Sequence, residues 1–75
     1  MIKILTLHSE GITNGKINAR CDISVADSSE LATETDNTVF TDGSIAWDIS
    51  TGDFYGLANG SWYKQDGTGA YSSGG

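Results

Sequence analysis

Residues 17–25 limit the fold of this chain more than any other segment. Apolar residues at positions 17, 19, 21, 23 and 25 alternate with Asn18, Arg20, Asp22 and Ser24. Side chains alternate between two faces along a β-strand, so a period of two over nine residues predicts a half-buried strand. We expect its apolar face to place Ile17, Cys21, Ile23 and Val25 in the core.

The segment before this strand predicts a β-hairpin. Residues 2–8 are a second candidate strand, and residues 11–16 contain the pair Asn14-Gly15. Asn-Gly favours the type I′ hairpin turn because both of its central residues need positive φ. We therefore expect the strand at residues 2–8 to pair with the strand at residues 17–25.

Residues 27–30 predict a short helical turn. Asp27 is a side-chain acceptor three residues before Glu30, which is the spacing of a capping box. One or two turns fit before Asp36-Asn37, a typical turn pair. Val39 and Phe40 are expected to form a short extended bridge, and no segment fits a longer helix.

From residue 43 onward, the pattern predicts a three-stranded meander. Residues 45–49 form one strand, residues 51–53 a turn, and residues 54–58 a returning strand. Asn59-Gly60 then gives a second tight turn into residues 61–65. Within this meander we place four side chains in the core: Ile45, Trp47, Ile49 and Trp62.

Three tyrosines are candidates for an interface. Tyr55 and Tyr63 are expected on the strand face opposite Phe54 and Trp62, where they would be more exposed. A bulge at Gly56 would shift the register and exchange the two faces. Tyr71 is an anchor candidate within residues 66–75, a segment with four glycines and two serines that predicts a flexible tail.

These patterns together predict a mainly β fold in one small domain over residues 1–65. Its form would be an antiparallel meander of hairpins with one short helical turn, and an α+β arrangement is the alternative. A chain of 75 residues buries about 60% of its unfolded surface, so its core is thin. Such a domain needs a further source of stability besides its core. With Cys21 as the only cysteine, no disulfide can form within the chain, so association with other chains fits best. We expect a homo-oligomer.

Charge and composition argue against several partners. The net charge is −6 with four basic residues, so the sequence predicts no basic surface that would bind nucleic acid or anionic lipid. No apolar stretch is long enough for a membrane span or the core of a signal peptide. We expect synthesis in a host cytoplasm without export by a signal.

The chain offers little for catalysis or metal binding. His8 is the only histidine and has no scaffolded nucleophile, and Cys21 on an apolar strand face is best read as core. Asp42, Asp48, Asp53 and Asp66 lie in or near turns, but none fits a calcium-binding loop, and turn caps explain Asp42 and Asp66, which precede glycine, without a metal. We predict a protein that is not an enzyme and has no metal or cofactor.

The order ADSSEL followed by GSIAWDISTGDFYGLANGSWYKQDGTG, over residues 26–69, resembles a short module of bacteriophage virion proteins of the head-fibre and capsid-decorating type. The match runs through residues that include Asp27, Leu31, Gly52 and Tyr55. Ala32 departs from it, standing where such modules often have proline. The resemblance implies a non-enzymatic structural role in the virion, next to a capsid or tail protein.

Two other functions remain open from the residues alone. The aromatic residues of the meander could form a stacking surface for carbohydrate on a host cell. The acidic surface would also allow a small inhibitor of a host protein.

Overall fold

A computed structural model describes residues 1–65, which form six strands and one 3-10 turn. The strands are β1 (Lys3–Thr13), β2 (Lys16–Val25), β3 (Thr38–Phe40), β4 (Ile45–Asp48), β5 (Phe54–Ala58) and β6 (Ser61–Lys64). The turn is Ser28–Glu30. The prediction of a mainly β fold is confirmed, and the described residues contain no α-helix. The predicted tail, with Tyr71, lies outside the described residues.

The two predicted hairpins belong to one mixed sheet. Its strand order is β1-β2-β4-β5-β6, and β3 also pairs with β2. The pairs β1–β2, β4–β5 and β5–β6 are antiparallel, whereas β2 pairs in parallel with both β3 and β4. The predicted antiparallel hairpin and meander are therefore both present, and a parallel ladder between β2 and β4 joins them.

The two Asn-Gly pairs form the tight turns that the sequence predicts. Asn14 and Gly15 have φ of 53° and 79°, and Asn59 and Gly60 have φ of 52° and 78°. Positive φ at both central positions is the geometry of a type I′ turn. The first strand extends to Thr13, five residues beyond its predicted end, with shifts in register between Ile4/Thr6 and between Ser9/Gly11.

A buried serine fills the gap between β3 and β4, which lie along the same side of β2. β3 pairs with residues 17–19 of β2 and β4 with residues 22–25. Between them, the backbone N–H of Cys21 donates to Ser44 Oγ over 3.0 Å. That hydroxyl in turn donates to the carbonyl of Thr41 over 2.7 Å. Ser44 therefore replaces the ladder bond that the interrupted strand cannot supply.

The helical segment is a single 3-10 turn. Asp27 caps it, because its carboxylate accepts the backbone N–H of Ser29 over 2.8 Å. Glu30 does not close the capping box onto Asp27; it accepts the N–H of Ala26 over 2.9 Å and pairs with the amino terminus. Leu31 then turns to an extended conformation, which ends the turn after three residues.

The core lies on one face of the sheet, called here the core face. The buried apolar residues are Ala19, Cys21, Ile23, Val25, Phe40, Ala46 and Leu57. Phe40 belongs to the connection between β2 and β4, and Leu31 from the same connection packs against the cluster. Ile17 and Trp62 are half-buried beside it, and Trp62 Nε1 donates to the carbonyl of Ala32 over 3.0 Å.

The prediction that Ile45, Trp47 and Ile49 lie in the core was wrong. They are 36%, 40% and 56% exposed. The parallel ladder pairs Ala46 with Ile23, and paired residues point to the same face of a sheet. Ala46 therefore faces the core, and its odd-numbered neighbours face away from it. The larger side chains of the core, which include Ile23, Phe40 and Leu57, come from β2, β3 and β5.

Candidate functional site

His8 and Cys21, the two residues considered for catalysis, lie on opposite faces of the sheet. His8 is exposed on β1, opposite Arg20 in the ladder. Cys21 is fully buried, and burial raises the pKa of its thiol above the ordinary value. A reactive cysteine needs an accessible thiolate, so this residue serves as part of the core.

The aspartates near turns have structural partners. Asp48 is 2% exposed and accepts hydrogen bonds from the hydroxyl and backbone N–H of Ser50 over 2.7 and 2.9 Å. The Ser50 hydroxyl is the main cause that lowers the pKa of Asp48, and backbone N–H groups, including that of Ser28, add to it. Within residues 1–65, no three His, Cys, Asp or Glu side chains are placed to hold a metal ion.

The outer face of the sheet, opposite the core face, carries the main candidate site. The ladder places Trp47 beside Phe54, and Ile45 beside Gly56, which in turn pairs with Tyr63. We call the side chains of Ile45, Trp47, Phe54 and Tyr63 the aromatic face. Each is more than a third exposed, although they are large apolar groups on neighbouring strands.

Two rings of the aromatic face form a parallel pair. The ring centroids of Trp47 and Phe54 are 6.2 Å apart, and their planes differ by 14°. Trp47 is 40% exposed and Phe54 is 48% exposed. Parallel offset rings attract each other beyond the effect of area alone, so the two rings stabilise each other while water still reaches them.

The outer face of β1 and β2 is polar, which gives a comparison within the same sheet. Its residues include Lys3, Thr6, His8, Arg20, Asp22 and Ser24. A sheet face in contact with water normally carries such residues. On β4, β5 and β6 the outer-face residues are Ile45, Trp47, Phe54, Gly56, Ala58, Ser61 and Tyr63, none of them charged. The apolar character is therefore confined to three strands.

The interface candidates separate onto different faces. Tyr63 lies on the aromatic face, as a candidate for an interface should. Tyr55 does not accompany it: the two-residue turn pairs Leu57 with Trp62, so Tyr55 shares the core face with Trp62 and is half-buried. The expectation that both tyrosines are on one exposed face was wrong because the turn reverses the odd-even pattern between the strands.

The sequence patterns placed three members of the aromatic face wrongly: Ile45 and Trp47, which were expected in the core, and Phe54. Phe54 was assigned to the same face as Trp62, whereas the ladder places it beside Trp47. The signal was present in the sequence: Ser44, Ala46 and Asp48 alternate with the apolar residues, and the two-residue turn at Asn59-Gly60 fixes the parity of β6 relative to β5. Because the turn pairs Leu57 with Trp62, the even-numbered residues of β5 share a face with the odd-numbered residues of β6. Phe54 therefore lies on the same face as Tyr63.

No protein-family model, curated protein or solved structure matches the chain. Among residues 1–65, no helix has the length and apolar character that crossing a membrane requires.

Proposed function

We propose that the chain is a non-enzymatic structural module of a bacteriophage virion, of the head-fibre or capsid-decorating type, that acts by association with neighbouring subunits. The observation that carries the proposal is the aromatic face. Its four large side chains are exposed and adjacent, and the largest apolar patch of a small protein is often functional.

The thin core supports a role in assembly. Seven apolar residues are buried within residues 1–65, and two of them are alanines. A domain of this size rarely gains more than about 3–5 kcal/mol from one core, so covering further apolar surface would add a large share of its stability. Association with a capsid or tail protein, or with other copies, would supply that cover.

The edge strand β1 offers a further surface for a neighbour. It pairs only with β2 among the described strands, and Leu5, Leu7 and Ile12 on it are exposed. An unpaired strand edge can receive a strand from another chain. The two shifts in register along β1 restrict such pairing to the regular stretch between them, which runs from Thr6 to Ser9.

The source of the virion assignment is the resemblance of residues 26–69 to phage structural modules, which supplies the biological context that geometry alone does not. Within residues 26–65, this region forms a capped turn followed by a meander. The same region contains Trp47 and Phe54. The proposed contact surface therefore belongs to the part of the chain that carries the resemblance.

Quantitative mass spectrometry of gradient-purified particles, from the phage that encodes the chain, tests the proposal. We expect the chain at a fixed copy number per particle, and fewer copies in particles made with Trp47→Ser. The matched control is His8→Ser, an exposed position on the polar half of the same face, which should leave the copy number unchanged. Particles that lack the chain would refute the virion role.

A carbohydrate- or host-surface-binding module is the second candidate. The parallel rings of Trp47 and Phe54 favour it, because sugar rings stack on exposed aromatic faces. Titration of the folded chain with bacterial surface polysaccharide should then quench tryptophan fluorescence, and Trp47→Ala should remove the effect. Unchanged fluorescence of the wild-type chain across the titration would exclude this candidate.

A further inference from the structure

We propose that the aromatic face docks on the same face of a second copy of this chain, with the two sheets face to face about a two-fold axis along β5. This inference rests on the proposed function and specifies the contact through which the module associates. The charge, shape and size of the aromatic face favour a second copy of the chain as its partner.

Charge is the first argument. The outer-face residues of β4, β5 and β6 include no charged side chain, whereas the whole chain carries a net charge of −6. A basic or acidic partner would find no counter-charge on this surface, and a complementary partner must itself be apolar and uncharged there. The same face of another copy meets this requirement, and two acidic chains can approach through it with the least repulsion.

The ladder register also fits a two-fold contact. Packed sheets lie about 10 Å apart with their strands within about 30° of each other. An axis along β5 sets β4 of one copy over β6 of the other, so that Ile45 lies opposite Tyr63 of the second copy. Phe54 then lies opposite its own equivalent. Gly56 has no side chain and leaves space between the two packed sheets.

The same arrangement leaves the polar half of the sheet in water. β2 is two strands away from β5, beyond the point where β6 of the second copy ends the overlap. Arg20 and Asp22, which lie on the outer face of β2, stay at or beyond the margin of the contact.

The exposed area suits a small dimer interface. Covering an aromatic side chain fully removes about 150–250 Å² from water. At exposures of 40% for Trp47, 48% for Phe54 and 42% for Tyr63, the three rings still expose on the order of 250 Å². Ile45, together with the neighbouring Ile49, which also faces away from the core, raises this to roughly 400 Å². A homodimer interface of standard size has about 500 Å² of apolar area per partner, so the face supplies most of it.

Sedimentation equilibrium of the full chain tests the docking, between about 1 µM and about 1 mM, the range in which a small interface is half-formed. We expect a monomer–dimer equilibrium. Phe54→Lys should raise the dissociation constant about a hundredfold, because the two-fold axis places the substitution in the contact twice and each copy loses about a tenfold contact. His8→Lys, with the same added charge on the polar half, should leave the constant within about threefold of wild type. Circular dichroism must show that both variants are folded.

Cross-linking gives a test that does not depend on a destabilising substitution. Ala58 lies on β5, close to the proposed axis, so Ala58→Cys should be joined to its equivalent by a short bis-maleimide. His8→Cys is the matched control and should stay largely uncoupled. Cys21 is buried in both variants and does not compete.

Three results would overturn the inference. One is a wild-type chain that stays monomeric across the whole range. The second is an oligomer whose dissociation constant Phe54→Lys and His8→Lys change equally, and the third is equal cross-linking at positions 58 and 8. If the chain is monomeric yet present in purified particles, the second copy is the wrong occupant while the virion role stands. If it is a dimer through this face but absent from particles, the virion role fails and the docking stands.

Discussion

Replacing Ser44 by alanine should destabilise the fold more than its size suggests. The Ser44 hydroxyl accepts the N–H of Cys21 at 3.0 Å, and both residues are fully buried. Alanine removes the acceptor and leaves that N–H without a partner in the gap between β3 and β4. The carbonyl of Thr41 keeps the backbone N–H of residue 44 as a donor at 3.2 Å, so it loses less.

The expected cost is that of one buried, unsatisfied backbone donor, about 1–3 kcal/mol. One kcal/mol lowers the melting temperature of a domain this small by about 4–8 °C, so Ser44→Ala should lower it by about 10 °C. Against a total stability of about 3–5 kcal/mol, this is a large fraction.

Urea and thermal unfolding, followed by circular dichroism at equal protein concentrations, measure this effect. Ser9→Ala is the control, because Ser9 is an exposed strand residue and its substitution buries no unpaired group. We expect the control to change the free energy of unfolding by less than about 0.5 kcal/mol. An equally small change for Ser44→Ala would refute the view that this hydroxyl completes the interrupted ladder.

Three further perturbations test other parts of the structure. Leu57→Ala should lower the free energy of unfolding by about 2–5 kcal/mol in urea titrations, because the side chain is 1% exposed in the core, and a smaller loss would mean that the core collapses around the gap. Asp48 has a folded-state pKa below its ordinary value of about 4, so its stabilising effect is present at neutral pH and lost as pH falls through the folded pKa. Melting temperatures against pH should therefore show that Asp48→Asn is less stable at pH 7 and loses less stability in acid, whereas parallel curves would contradict this. The thiol of Cys21 should react with a disulfide reagent slowly in the native chain and fast in urea, and fast native labelling would show that the core opens there.

Strand positions follow closely from the sequence where a local signal fixes them. Alternation over residues 17–25 locates β2, and the Asn14-Gly15 and Asn59-Gly60 pairs fix two hairpins. These signals act over a few residues, because side-chain parity and backbone φ are properties of neighbouring positions. The end of β1 is less well determined, since Ser9, Glu10 and Gly11 carry no clear alternation, yet pairing with β2 holds them in the strand.

Which face of the meander is buried could not be read from hydrophobicity. Ile45, Trp47 and Ile49 carry far more apolar surface than Ser44, Ala46 and Asp48, yet the second set faces the core. The alternation along a single strand shows which residues share a face, but not which face meets the core. A shift of one residue in the pairing register exchanges the two faces.

The sequence by itself determined the β class, the first hairpin, the last turn and the buried face of β2, because each depends on contacts between near neighbours. The tertiary structure alone decided that β2 pairs in parallel with β4. That long-range pairing sets Ala46 beside Ile23 and turns Trp47 outward. The candidate site is the result of this pairing: the ladder assigns the large side chains of β4 to the face that the rest of residues 1–65 leaves exposed.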